Sequence, residues 1–170
     1  MSWLDELKDR VPDWAKDIRL NLDGVINRST IQDADVVKGI ALAAAVAAGN
    51  KSVIETIISE FGNEVERQAA LTAAALMGMN NVWYPYVEMT EDPNLKGLPA
   101  QLRMNAYATH GGTTKANFEA YSLSASIVGK CHFCVKSHYL TLQKEGYTVE
   151  QLRDVGRIAA VINSTAKVLY

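Results

Sequence analysis

Cys131 and Cys134 are the only cysteines of the chain, three positions apart in Cys131-His132-Phe133-Cys134, and His138 follows four residues later. Offsets of three, four and seven residues return to nearly one direction on an α-helix, because 3.6 residues complete a turn. One helix face would then carry both sulfurs and an imidazole. A pair this close cannot staple distant parts of a small secreted domain, so its role is local: redox chemistry or metal binding. The thiolate is the attacking form of cysteine, and it is favoured at helix N-termini and beside basic groups. Here those two influences favour different sulfurs. The helix end favours Cys131, whereas His138 at i+4 favours Cys134 as its partner in proton exchange. A peroxide would oxidise one cysteine to sulfenic acid, the other would condense with it to a disulfide, and an outside dithiol would restore both thiols.

Glu119 is the fourth candidate. It lies ten residues before Gly129, or ~15 Å along a helix axis at ~1.5 Å per residue. His138 lies at a comparable distance beyond Gly129, so a chain reversal there brings the two level. A carboxylate in that place can fix the imidazole tautomer and stabilise its charged form, directly or through water. Two plainer readings stand beside this one. The cysteines could be buried apolar thiols, or Cys131, Cys134, His138 and Glu119 could together hold zinc in a helical interaction module. That zinc set lacks the usual second Cys or His pair, and zinc would block the redox cycle. His132 and His110 read as solvated surface.

The elements that must position these groups are helices; strand signals are almost absent. Residues 1–10 form a first helix, Pro12 opens a second through Trp14, Ile18 and Leu22, and a turn is expected at Asp23-Gly24. Asp33 or Asp35 caps a third, which ends at Gly49-Asn50. Residues 52–61 form a fourth. Asn63 and Glu66 have the capping-box form and open a helix to about Met79, where Met77-Gly78-Met79-Asn80-Asn81 reads as a packed helix end. Residues 80–99 carry loop signals around Pro85 and Pro93 and receive no assignment; Trp83, Tyr84 and Tyr86 are expected in the core or at a subunit contact. A short helix is predicted over 98–107, closed by His110-Gly111-Gly112. Thr113 or Thr114 caps the helix that carries Glu119, Cys131 begins the next, and Thr148 with Gln151 opens the last.

A shift of 51 positions sets Ala69 on Ala120, Ala74 on Ala125 and Gly78 on Gly129. This predicts an internal helical repeat over about 63–90 and 114–145, with the redox site in the second copy, inside a single domain over 1–170. The first copy holds Gln68, Asn80 and Trp83 where the second holds Glu119, Cys131 and Cys134.

Composition bounds the rest. A chain of 170 residues that is 48% hydrophobic suits one core. Net charge is −2, with 17 basic and 19 acidic residues intermixed, so neither nucleic acid nor an anionic membrane is expected as a partner. No apolar run nears the ~18 to 20 residues of a membrane span, and the start lacks a signal-peptide pattern, which predicts a cytoplasmic location. No phosphate-cradling glycine motif is present, so no flavin or nicotinamide site is expected.

The pattern Glu119-x11-Cys131-x-x-Cys134-x3-His138 resembles the active-site signature of the alkyl hydroperoxide reductase AhpD group, within the carboxymuconolactone decarboxylase superfamily. Asp17-Ile18-Arg19-Leu20-Asn21-Leu22, the Met77 to Val82 segment, Arg103-Met104-Asn105 and Lys115 to Glu119 resemble the same group, so the likeness covers nearly the whole chain. The resemblance implies an all-α, AhpD-like multihelical fold with an internal repeat, assembled as a homotrimer. It implies an antioxidant peroxidase acting on hydrogen peroxide and alkyl hydroperoxides with no bound cofactor. It also implies a disulfide reductase role, passing electrons from dihydrolipoamide, on a lipoyl-bearing protein, to an AhpC-type peroxiredoxin. In that group the second cysteine, here Cys134, is peroxidatic and the first, Cys131, resolves it; Glu119 and His138 relay protons with a bound water. One departure is visible: the group has a histidine immediately before the second cysteine, whereas here Phe133 stands there and His132 adjoins Cys131. The superfamily's decarboxylase activity finds no lactone site here independent of the thiols.

Overall fold

The computed structural model describes residues 1–170 as ten α-helices, two 3-10 turns and no strand. The helices are α1 (Trp3–Arg10), α2 (Lys16–Asn27), α3 (Ala34–Ala48), α4 (Lys51–Ser59), α5 (Glu64–Thr90), α6 (Pro93–Lys96), α7 (Asn105–Ala108), α8 (Lys115–Gly129), α9 (His132–Lys144) and α10 (Val149–Val168). The all-α fold is the one expected. No helix is long and apolar enough to cross a membrane.

Local signals set most of the boundaries. The Asp33 carboxylate accepts the N–H groups of Asp35 and Val36 at the start of α3, and Gly49 closes that helix in the left-handed region at φ 76°. Asn63, Thr114 and Thr148 each cap the third residue of the helix that follows, and Gln151 completes a reciprocal box with Thr148.

Helix α3 is enclosed on nearly every side. It packs on α5, α8 and α10, while α5 and α8 pack on each other. Alanines make this approach possible: Ala41 and Ala43 to Ala45 on α3, Ala69, Ala70, Ala73 and Ala74 on α5, and Ala120 and Ala125 on α8 are all buried. Small side chains let helix axes close, while each buried Leu or Ile such as Leu42 or Ile40 contributes roughly 1.5–3 kcal/mol. Gly39 allows the fully buried Tyr121 ring to lie directly on the α3 backbone. The Tyr121 hydroxyl donates to the Glu66 carboxylate, which also accepts from Thr113 (2.6 Å) and Asn117. Glu66 thus binds α8 to α5 instead of reaching back to its own cap.

Three expectations change. The turn at Asp23-Gly24 is absent: α2 continues to Asn27, because Leu22, Gly24 and Val25 are buried against the rest of the fold and that burial outweighs the propensity cost of one glycine. The helix expected to end near Met79 runs through Pro85 to Thr90, so Met77-Gly78-Met79-Asn80-Asn81 is helix interior and much of the unassigned 80–99 stretch is helical. Its added turns are supported by the start of α9. Tyr84 stacks on Phe133 with ring centroids 4.4 Å apart, and Glu88, one turn further, lies 3.0 Å from His132 Nδ1. The helix predicted over 98–107 contracts to the single turn of α7. Leu98 and Leu102 are exposed, leaving no apolar stripe to support a helix too short to stand on propensity alone.

Candidate active site

Helices α8 and α9 form a hairpin closed by two residues. Lys130 takes the left-handed conformation (φ 56°), and the Cys131 N–H donates to the Ser126 carbonyl at 3.3 Å. Gly129, expected as the point of reversal, remains helical. A Cβ there would run into the Asn81 side chain, whose amide donates to the Ala125 carbonyl at 3.1 Å. The glycine therefore serves the α5–α8 contact, and the lysine makes the turn.

Cys131 is the N-cap of α9, one position before its first helical residue, and its Sγ accepts the Cys134 N–H at 3.2 Å. The two cysteines are joined as a disulfide, with Cα atoms 5.3 Å apart. Cys134, His138 and Leu142 succeed one another at intervals of four along the buried face of α9. Cys131 has no exposed surface and Cys134 only 3%. A surface recess of about 310 Å³, lined partly by Val135, Lys136 and Tyr139, has Cys131 in its wall.

Glu119 and His138 are level across the hairpin, as their spacing predicts: His138 Nδ1 is 2.6 Å from Glu119 Oε2, with side chains 6% and 2% exposed. The other carboxylate oxygen accepts from the Tyr107 hydroxyl of α7. Burial, reinforced by the adjacent Glu119 carboxylate, pushes that hydroxyl far above the usual tyrosine range, so it serves Glu119 only as a donor. His138 Nε2 faces the Met77 sulfur of α5 at 3.1 Å. Neither ring nitrogen hydrogen-bonds a cysteine in this disulfide state; Cys134 Sγ instead lies 3.8 Å from the Asn80 carbonyl oxygen, which a free thiol could use as an acceptor.

Cys131, Cys134, His138 and Glu119 are thus gathered within the one α8–α9 hairpin. In this disulfide state no group of three or more of these side chains is arranged to hold a metal ion. His132 points outward, 83% exposed, toward Glu88. In the sequence Tyr107 has no evident role, and Met77 and Asn80 read as part of a packed helix end, outside the site. Met77 and Asn80 lie one turn apart on α5, and only recognition that α5 continues past Met79 would have aligned them with His138 and Cys134. Tyr107 carries no spacing signal. Trp83, Tyr84 and Tyr86, expected in the core or at a subunit contact, are outside the core: Trp83 and Tyr84 line a groove of about 840 Å³ shared with Phe133 and Leu95, and Tyr86 is half exposed.

Residues 93–170, which include Tyr107, Glu119 and the cysteine helix, match the Carboxymuconolactone decarboxylase family. An alkyl hydroperoxide reductase AhpD of Rhodospirillum centenum is 41% identical over 169 residues, covering 98% of this chain and 90% of the relative. Proteins of the same name from Coxiella burnetii and Maricaulis maris are each 39% identical, covering 97% and 98% of this chain and 96% of each relative. With these identities spanning nearly the whole of each chain, the protein belongs to the alkyl hydroperoxide reductase AhpD family.

Proposed function

We propose that this chain is an antioxidant thiol peroxidase that reduces hydrogen peroxide and alkyl hydroperoxides through Cys131 and Cys134. The observation that carries the reading is a buried Cys131–Cys134 disulfide with the Glu119–His138 pair one helical turn further along α9. Family membership supports the same activity.

In the reduced protein, Cys134 gives its proton to His138, and the thiolate attacks the terminal peroxide oxygen. The O–O bond breaks, an alcohol or water leaves, and Cys134 becomes sulfenic acid. Cys131 then attacks the Cys134 sulfur, expelling water and forming the disulfide. Its position supports this role: at the N-cap of α9 its sulfur receives the Cys134 N–H, which favours the thiolate needed for the condensation. Glu119 holds the imidazole orientation throughout. Dihydrolipoamide, carried by a lipoyl-bearing protein, restores the dithiol and becomes lipoamide; the dithiol then also reduces an AhpC-type peroxiredoxin. The assembly is a cytoplasmic homotrimer.

The test is stopped-flow reaction of the reduced protein with cumene hydroperoxide. Two thiols lost per peroxide, sulfenic acid trapped on Cys134 in Cys131→Ser, and recovery with dihydrolipoamide are expected. Turnover measured with and without an added peroxiredoxin separates the peroxidase role from the reductase role. Thiols inert to peroxide, with one zinc held per chain, would overturn the reading.

A further inference from the structure

We propose that Met77 is a positioning residue of the proton relay: its thioether holds a hydrogen on His138 Nε2, so the disulfide state already stores the proton that the opening disulfide needs. The proposal deepens the redox reading above and rests on it for the role of that proton, though the hydrogen itself is argued from contacts alone.

Met77 is fully buried on α5, with its sulfur 3.1 Å from His138 Nε2. A thioether offers lone pairs and no hydrogen. If Nε2 were bare, two sets of lone pairs would face one another at that distance inside the core, with no water to separate them. A hydrogen on Nε2 removes the conflict and satisfies both atoms. The other nitrogen, Nδ1, shares a second hydrogen with Glu119 Oε2 across 2.6 Å. Tyr107 donates to the remaining oxygen of Glu119 and supplies no acceptor to the ring. The titratable groups around the imidazole are therefore Glu119 from α8 and Tyr107 from α7, with the cysteines on its own hairpin. Together they leave the Glu119–His138 pair holding two hydrogens and no net charge, a form that a site 1–5% exposed favours.

The stored hydrogen has a use. When a dithiol's thiolate attacks Cys131 Sγ, a new S–S bond forms, the Cys131–Cys134 bond breaks, and the electron pair stays on Cys134. That new thiolate is a far stronger acceptor than a neutral thioether. The proton passes from Nε2 to Cys134 Sγ, one helical turn away, through a bridging water or a shift of the opened first turn of α9, since neither ring nitrogen contacts a cysteine in the disulfide state, and the ring keeps its Nδ1–H on Glu119. The second thiol of the reductant releases its proton to water and closes the reductant's own S–S bond, which breaks the mixed disulfide and frees Cys131 as thiolate into its N-cap contact with the Cys134 N–H. Cys131 and not Cys134 borders the surface recess, so once the first turn of α9 opens it is the Cys131 sulfur that lies on the recess side, although it has no exposed surface in the resting fold. On the oxidative stroke the proton returns from Cys134 to Nε2. A weak acceptor suits this purpose, since a carboxylate in the place of Met77 would hold the proton too firmly to release it.

The test is two-bond 1H–15N correlation of the imidazoles in the oxidised protein at pH 7, with the three histidines assigned by single replacement. The expected wild-type spectrum shows His138 Nε2 protonated. Met77→Leu, which keeps the volume and removes the acceptor, should show Nε2 bare, and Met77→Gln, which restores an acceptor, should show it protonated again. Opening of the disulfide by dihydrolipoamide should slow about tenfold in Met77→Leu and less in Met77→Gln. A bare Nε2 in the wild type overturns the proposal without any variant, and so does a Met77→Leu spectrum identical to wild type. The spectra are read without peroxide, so a protonated Nε2 in a protein inert to hydroperoxide would refute the peroxidase reading and leave the hydrogen assignment intact.

Discussion

Glu119 accepts from the buried His138 ring and the half-buried Tyr107 hydroxyl at once, which makes Glu119→Ala the most informative single deletion in the fold. The substitution removes the acceptor of the Tyr107 hydroxyl and of the His138 ring, in a place where the carboxylate side chain is 2% exposed and the imidazole 6%. Water cannot replace the lost oxygens without a rearrangement. A hydrogen bond to a charged group contributes roughly 1.5–3 kcal/mol, so two of them give about 3–6 kcal/mol. Because the Tyr107 donor is only half-buried, the lower part of that range applies, about 4 kcal/mol. For a chain of this length each kcal/mol lowers the melting temperature by about 2–4 °C, so Glu119→Ala should melt about 8–16 °C below wild type. Glu119→Gln keeps the shape and one accepting oxygen, and should lose about half as much. Calorimetry on the oxidised forms, at one fixed protein concentration because assembly would shift the midpoint, makes the comparison. A Glu119→Ala protein melting within 2 °C of wild type would refute the claim that this carboxylate is held by both donors.

Gly39→Ala places a methyl group against the Tyr121 ring, which cannot swing away because its hydroxyl is fixed to Glu66. Overpacking of about 1–3 kcal/mol should exceed the helix-propensity gain of about 1 kcal/mol or cancel it, lowering or at best preserving the urea midpoint; a clear rise would contradict the close α3–α8 approach. Asp154 gives a pH signature. Burial raises its pKa, but the N–H and hydroxyl of Thr30 (2.7 and 2.8 Å) and Arg157 (3.0 Å) outweigh that, holding it below the ordinary 3.8. Because the folded value is depressed, its stabilisation is complete above the unfolded value and fades as pH falls through the folded one. Asp154→Asn should therefore be less stable than wild type by about 2–3 kcal/mol at pH 7, with the gap closing below about pH 4. Denaturant titrations at several pH values check this, and a gap that widens in acid would contradict it.

What could be read from the sequence was local. Caps at Asp33, Asn63, Thr114 and Thr148 need only three or four neighbouring residues, and each is found where its pattern stands. The levelling of Glu119 with His138 follows from helical rise on either side of one reversal. The errors came where distant packing overrode a local breaker. Gly24 and Pro85 both sit inside helices, the first because its neighbours are buried, the second because Tyr84 and Glu88 are engaged by α9. The contacts of Met77 with His138 and of Tyr107 with Glu119 join separate helices. No spacing rule encodes them, and a methionine in an apolar helix is usually core. Gly129 carries the local signal for a turn, but Lys130 makes it.

The near-total burial of the two sulfurs makes the structure a kinetic filter. An attacking thiol must approach along the S–S axis, and with Cys131 and Cys134 at 0% and 3% exposure that line is closed in the resting fold. The observed rate is then the intrinsic exchange rate multiplied by the fraction of time the first turn of α9 is open. That turn is held from outside by the Tyr84–Phe133 stack and the Glu88–His132 contact, neither of which touches a reacting atom. Loosening either would raise reactivity toward every thiol alike, whereas a change at a reacting sulfur would discriminate among them. Amide exchange at Phe133 and Cys134 therefore measures the same opening that sets how quickly the disulfide can be reached.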